Sequence, residues 1–420
     1  MLQWPRKTKE EIFKQIPQAF SQEVLQQTQT IISDIIRDKD VALRKYGEQF
    51  QELSPGDAFV CDPVALKKMC DTLPQDQRAL LERTQARIEQ FAQAQLACLQ
   101  PLTMPVASGF LGHELAPIER VGCYAPGGRF PLPSSVLMTV VTARVAGVKH
   151  ITVASPKPTP ITLAAASIAG ADLFVRTGGA HTIAALAYGT ETLNACNFLC
   201  GPGNAWVTAA KYIVSKHVGI DMLAGPSELV VIADDSASAK IIAADLLAQA
   251  EHDDLAVPIL ISLSPNLLDE VTTELTRQLK TLPTNKTAEV SLSQQGFAVV
   301  AKSEQEAVEI ANFLAPEHLQ LHVKNIADYQ GKLQHYGALF LGENAAEVLA
   351  DYGIGPNHVL PTGGSSRYRG GLSVFSFLRI RTWMQADATP ANNQALQDAA
   401  DLARLEGLEA HARAALARKH

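Results

Sequence analysis

The 420 residues, 47% of them hydrophobic and 19% charged, have an ordinary globular composition and exceed what one simple core holds, so two or more domains are expected. A formal net charge of -7, with Lys and Arg scattered apart from short clusters at Arg6 to Lys9 and Arg418 to Lys419, leaves no basic face for nucleic acid. No window approaches the ~20 apolar residues of a membrane span, and Met1 to Lys7 lacks the apolar core of an export leader, so the expectation is a cytoplasmic protein with no membrane or nucleic-acid partner.

Ile12, Ile16 and Phe20, then Ile31, Ile32, Ile35 and Ile36, recur among polar residues at three- and four-residue intervals, which predicts helices from Glu10 to about Leu99. From Val121 the rhythm changes to short apolar runs alternating with Ala-rich helical segments. Strands are predicted at Ile151 to Ser155, Leu173 to Thr177, Asn197 to Cys200, Leu229 to Ala233 and Pro258 to Leu263. Helices are predicted over Ile161 to Ala169, Ala205 to Val218 and Ala237 to Ala250, and this β-α-β alternation argues for parallel sheet. A second block restarts near Phe297, with a helix over Glu304 to Leu314 and strands at Leu319 to Val323 and Ala338 to Leu341. The tail from Gln394 to His420 is again helical. Cys61, Cys70, Cys98, Cys123, Cys196 and Cys200 show no Cys-x-x-Cys spacing and fit reduced thiols; Cys196 and Cys200 fall in an apolar run that reads as a buried strand.

Three Gly-rich turns, Tyr124 to Gly128, Thr177 to His181 and Gly201 to Asn204, each follow an apolar run and precede a helix. At the carboxyl edge of a parallel sheet such turns line a ligand cleft. None is Gly-x-Gly-x-x-Gly, however, and the same glycines also end strands for steric reasons. Gln249 and His252, three apart, share one face of a helix's last turn, which fits half of a metal site or equally a His stabilised by the helix dipole. Glu317 and His318, where Pro316 stops a helix, suit proton transfer; as neighbours they diverge on any regular element, so both face one ligand only in a loop conformation. Asp351 to Gly364 is the longest turn-rich segment and carries Asp351 and His358; long ordered loops usually hold function. Glu406 and His411, on the helical tail, read by themselves as polar surface. Spacing does not show that Gln249, His252, Asp351 and His411 meet.

The runs Glu119 to Gly128, Gly201 to Asn204, Ala224 to Glu228, Gln249 to His252, Ala315 to Leu319, Asn357 to Thr362 and Glu406 to His411, in this order, resemble histidinol dehydrogenases. The resemblance implies two Rossmann-like α/β domains with parallel sheets plus helical N-terminal and C-terminal extensions. The implied division is 1–20 (helical extension), 21–122 with 234–370 (first α/β domain, discontinuous), 123–233 (second, with the NAD contacts) and 371–420 (helical dimerisation tail). It implies one zinc ion per subunit held by Gln249, His252, Asp351 and His411, with L-histidinol coordinating through its amine and imidazole nitrogens. Ser227, His318, His358 and Glu406 would touch the substrate as well. His318 would take the alcohol proton, Glu317 would activate water against the aldehyde, and Tyr124, His181 and Asn204 would contact NAD. His181 departs from the Gln that many relatives carry, and imidazole lacks the amide's paired donor and acceptor. The implied activity is oxidation of L-histidinol through L-histidinaldehyde to L-histidine, the last steps of histidine biosynthesis, by a homodimer with a shared active site. A zinc hydrolase, with Glu317 activating water and the glycine turns purely structural, is the rival of another class.

Overall fold

Two parallel sheets built from successive stretches of chain carry the fold in a computed structural model that describes residues 2–14, 20–127 and 130–419. The first sheet has six strands in the order Val60–Cys61, Leu173–Val175, His150–Ala154, Arg120–Tyr124, Phe198–Cys200 and Gly219–Ile220. All run parallel except the Val60–Cys61 edge. Its strands read as continuous apolar runs because both faces are covered. Val121, Cys123, Ile151 and Val153 meet the helices Pro63–Asp71, Gln75–Ala97, Pro133–Val145 and Pro160–Ala169. Tyr124, Ala154, Val175 and Leu199 meet Gln22–Gln49, Gly179–Tyr188 and Ala205–Val214. Three of these helices begin with Pro, whose fixed φ suits a first turn and whose missing N–H would have had no helical partner there.

The second sheet is wholly parallel, in the order Phe297–Val300, Val257–Ser262, Glu228–Ala233, His318–His322 and Ala338–Leu341. Ala239–Ala250 and Pro265–Leu279 cover one face, and Glu304–Leu314 covers the other.

These sheets correct the expected division of the chain. Residues 21–122 do not build one sheet with 234–370: their helices bury Ile32, Ile35, Leu66 and Ile88 against the first sheet, and Arg120–Tyr124 is one of its interior strands. Glu228–Ala233, placed by expectation with 123–233, is the central strand of the second sheet. The described residues of 1–20 do not form the expected helical extension either. Among them helix is confined to the single turn Lys9–Ile12, and the chain before it runs extended along the Phe297–Val300 edge, with Lys7 N donating to Ala298 O at 2.9 Å and Ala298 N to Pro5 O at 2.8 Å. Leu2 and Trp4 are thereby buried in the second core, while Ile16 lies outside the described residues. The helix expected over Ala205 to Val218 stops at Val214, and Gly219 then pairs with Phe198 at the sheet edge.

A third, antiparallel sheet joins Leu102–Val106, Gly109–Pro117 and Leu378–Ala386, the last two paired from Leu378 opposite Pro117 to Ala386 opposite Gly109. Residues 371–420 are therefore not helical throughout; this nine-residue strand precedes the helices Pro390–Leu405 and Glu409–Leu416. Among the described residues no helix is long and apolar enough to cross a membrane. All six cysteines are free, and Cys123 and Cys200, neighbours across the first sheet, bring their sulfurs to 3.7 Å.

Candidate active site

The helix Glu304–Leu314 ends at Ala315 in a left-handed conformation (φ 49°), and the chain bends at Glu317 before the strand His318–His322. That bend lets two adjacent side chains serve one place. Glu228 N donates to Glu317 Oε2 at 2.9 Å, and His318 Nδ1 donates to Glu228 O at 3.0 Å. Because a carbonyl can only accept, the His318 proton sits on Nδ1 and the lone pair on Nε2. Nε2 is buried, has no partner, and stands 3.8 Å from Asp351 Oδ1. Desolvation holds the His318 pKa below its ordinary value, so the ring is neutral near pH 7. Glu317 is pushed up to about 8, chiefly by desolvation, against hydrogen bonds from Glu228 N and Ser227 that favour its charged form. Glu228, whose Oε1 accepts from Gly363 N at 3.0 Å, is also pushed up to about 8, by desolvation and then by Glu317.

Gln249 ends the helix Ala239–Ala250, His252 follows in the next turn, and Asp351 closes the short helix Glu347–Asp351. His252 Nε2 lies 3.9 Å from Asp351 Oδ2, so His252, Asp351 and His318 form one group at the amino edge of the second sheet. Gln249 is buried, and the His252 side chain, 44% exposed, stands at the mouth. His358 Nδ1 donates to Asp351 O at 2.9 Å, and its Nε2 accepts from Ser135 Oγ at 3.2 Å. Ser135 belongs to Pro133–Val145, so this bond ties the group to the carboxyl edge of the first sheet, as does Asn357 Nδ2 donating to Met138 O at 2.8 Å. His411 and Glu406 are not brought into the group: both are exposed on the tail, whose two helices pack mainly on each other. Among the described residues no three His, Cys, Asp or Glu side chains sit close enough to hold an ion together.

At the carboxyl edge of the first sheet the glycine turns converge. Tyr124 Oη accepts from Gly179 N at 3.1 Å. At Gly201 (φ 113°) a Cβ would run into the Tyr124 carbonyl, so only glycine lets the two turns approach. Gly128 lies outside the described residues. His181, 1% exposed, donates from Nε2 to Glu52 Oε2 at 3.1 Å, and the same oxygen accepts from Gly178 N at 3.0 Å. Asn204 caps Ala205–Val214 through Trp206 N and Val207 N and is exposed. Beneath the Gly201 turn Lys211 and Asp221 form a buried ion pair, and Asp221 Oδ2 accepts from Gly201 N at 2.7 Å. Stripping one partner from such a pair costs about 3–5 kcal/mol, so the turn is firmly held. Tyr124 and His181 thus border one turn and Asn204 the next. Sequence reasoning gave no role to Ser135, Glu52 or Glu228. Only Glu228 carried a signal, as an acid opening an otherwise apolar strand.

A family model for histidinol dehydrogenase matches residues 14–419. The chain is 43% identical over 388 residues to a histidinol dehydrogenase of Thermus thermophilus, covering 91% of this chain and 93% of that one. It is 42% identical over 387 residues to one of Streptococcus mutans, covering 91% and 90%. Among solved structures, the histidinol dehydrogenase from Elizabethkingia anophelis matches with a TM-score of 0.92 at 31% identity, over 100% of this chain and 98% of that one. Agreement along nearly the whole length, in sequence and in fold, makes this chain a member of the histidinol dehydrogenase family, oxidoreductases of histidine biosynthesis.

Proposed function

We propose that this chain carries out the zinc-dependent, NAD-linked, four-electron oxidation of L-histidinol through L-histidinaldehyde to L-histidine, as a cytoplasmic homodimer. The observation that carries the reading is the double hold of Glu228 on Glu317 and His318. It leaves one neutral imidazole with a free lone pair and one buried carboxyl side by side. Zinc fits the donor set: Gln249, His252 and Asp351 offer amide, imidazole and carboxylate, a mixed nitrogen and oxygen set with positions left open for substrate. His411 of a second copy would complete it. When bound, zinc would fix the amine and imidazole nitrogens of the substrate, and NAD would accept hydride.

His318 Nε2 takes the alcohol proton, with the ring held in the required tautomer by Glu228 O. Glu317 takes a proton from the water that attacks the aldehyde carbon. Burial raises the Glu317 carboxyl to about 8, and a cation held beside Asp351 would favour its charged form, which would leave the carboxylate available as a base near neutrality. Ser227 steadies Glu317, while His358 and Glu406 would hold the substrate. Tyr124, His181 and Asn204 would border NAD.

Two NADH per histidinol consumed is the expected stoichiometry. A chelator should abolish turnover and added zinc restore it, because the substrate nitrogens lose their anchor. Full activity in metal-free protein would sink the zinc reading, and consumption of histidinol without NADH would overturn the NAD reading. His181→Gln should leave zinc content unchanged and shift only the KM for NAD, since His181 meets Glu52 and the Gly178 turn, not the metal group. Loss of zinc from that variant would show His181 to be misassigned.

A further inference from the structure

Behind the metal group lies a second buried polar layer, supplied by the same three elements. On Ala239–Ala250, Asp245 sits one turn before Gln249; on Glu347–Asp351, Glu347 sits one turn before Asp351. On the strand His318–His322, Gln320 and His322 share the face of His318. All four inner residues are buried. The Gln320 amide bridges two of the elements, donating to Asp245 Oδ2 at 3.2 Å and accepting from Glu347 N at 3.1 Å. His322 Nε2 also faces that Asp245 oxygen, at 3.6 Å, beyond hydrogen-bond length. The Gln320 amide commits Asp245 Oδ2. Both carboxylate oxygens of Glu347 remain buried without a partner, and so does Nε2 of Gln249. Buried polar atoms are rarely left so, and here an uncommitted acceptor and an uncommitted donor stand on two helices packed against each other.

We propose that Glu347 is a positioning residue for the metal site: its carboxylate accepts a hydrogen bond from the Gln249 amide nitrogen and so turns the amide oxygen toward the ion. This rests on the zinc reading above and deepens it. An amide can bind a cation through oxygen only, and nothing else fixes which end of Gln249 faces outward. A carboxyl oxygen accepting behind the nitrogen settles that choice, and a partner behind a metal ligand commonly governs affinity.

The test is zinc affinity, measured by chelator competition on the stripped full-length protein for four forms: wild type, E347Q, Q249E and the double variant. E347Q should weaken zinc about 10–100-fold in the wild-type background. In the Q249E background the sign should reverse. There two carboxylates face each other, and E347Q supplies the missing donor, so zinc should bind more tightly. A merely structural role gives the same loss in both backgrounds, and that result overturns the proposal. Equal affinity of wild type and E347Q overturns it too, whereas wild-type protein that takes up no zinc overturns the metal reading beneath it. Should E347Q not fold, E347D, which withdraws the acceptor by one methylene, carries the comparison in its place.

Discussion

Replacing His318 with Asn is expected to lower the first oxidation by about 10²–10⁴-fold, the range a positioned proton acceptor contributes, with zinc content unchanged. Asn has no basic nitrogen to offer where Nε2 now stands free. Glu317→Gln should do the reverse, sparing the first oxidation and slowing the aldehyde step. Its remaining amide oxygen can still accept from Glu228 N, so the bend and the His318 tautomer survive the change. The two half-reactions are separated by following NADH from histidinol and from added histidinaldehyde. In the wild type the aldehyde step should fall as pH drops through the Glu317 pKa, because protonation removes the base. In Glu317→Gln that limb should vanish from the profile. Equal losses of both half-reactions in Glu317→Gln would overturn the division of labour.

Co-expression of two inactive variants, Glu317→Gln and His411→Asn, should return roughly a quarter of wild-type activity if His411 acts on the other copy. Random pairing makes half of the dimers mixed, and each mixed dimer then has one intact and one doubly damaged site. The exposed tail supports this reading. His411 and Glu406 stand away from His252 and Asp351 in their own chain. Leu402, Leu405, Ile380 and Met384 leave an apolar surface on the tail and on the strand that leads into it. No recovery in verified mixed dimers would place the whole site within one subunit.

The β-α-β alternation from Val121 to Leu341 was legible because strands covered on both faces are continuous apolar runs with Ala-rich helices between them. Which helix covers which sheet was not, since an amphipathic stripe such as Ile32, Ile35 and Leu43 does not name its partner. The strand Leu378–Ala386 carries a period-two pattern, Leu378, Ile380 and Met384 against Arg379 and Arg381, yet its partner lies far back in the chain at Gly109–Pro117. In the site, Pro316 announced the break that lets Glu317 and His318 act together. Ser135 and Glu347 gave no warning, because a single polar residue in an otherwise apolar segment reads as tolerated burial until its neighbour is known.

The extended segment at Pro5 to Lys7, which completes the edge at Ala298, also bears on how the chain is made. These residues leave the ribosome well before the strand they pair with, which emerges only after the entire first sheet has been synthesised. Leu2 and Trp4 must therefore wait in solvent, or under a chaperone, while Val60 to Ile220 assembles as a contiguous unit. The second sheet closes around a piece of chain made long before it, and until then its Phe297–Val300 edge is open to pairing with another nascent chain.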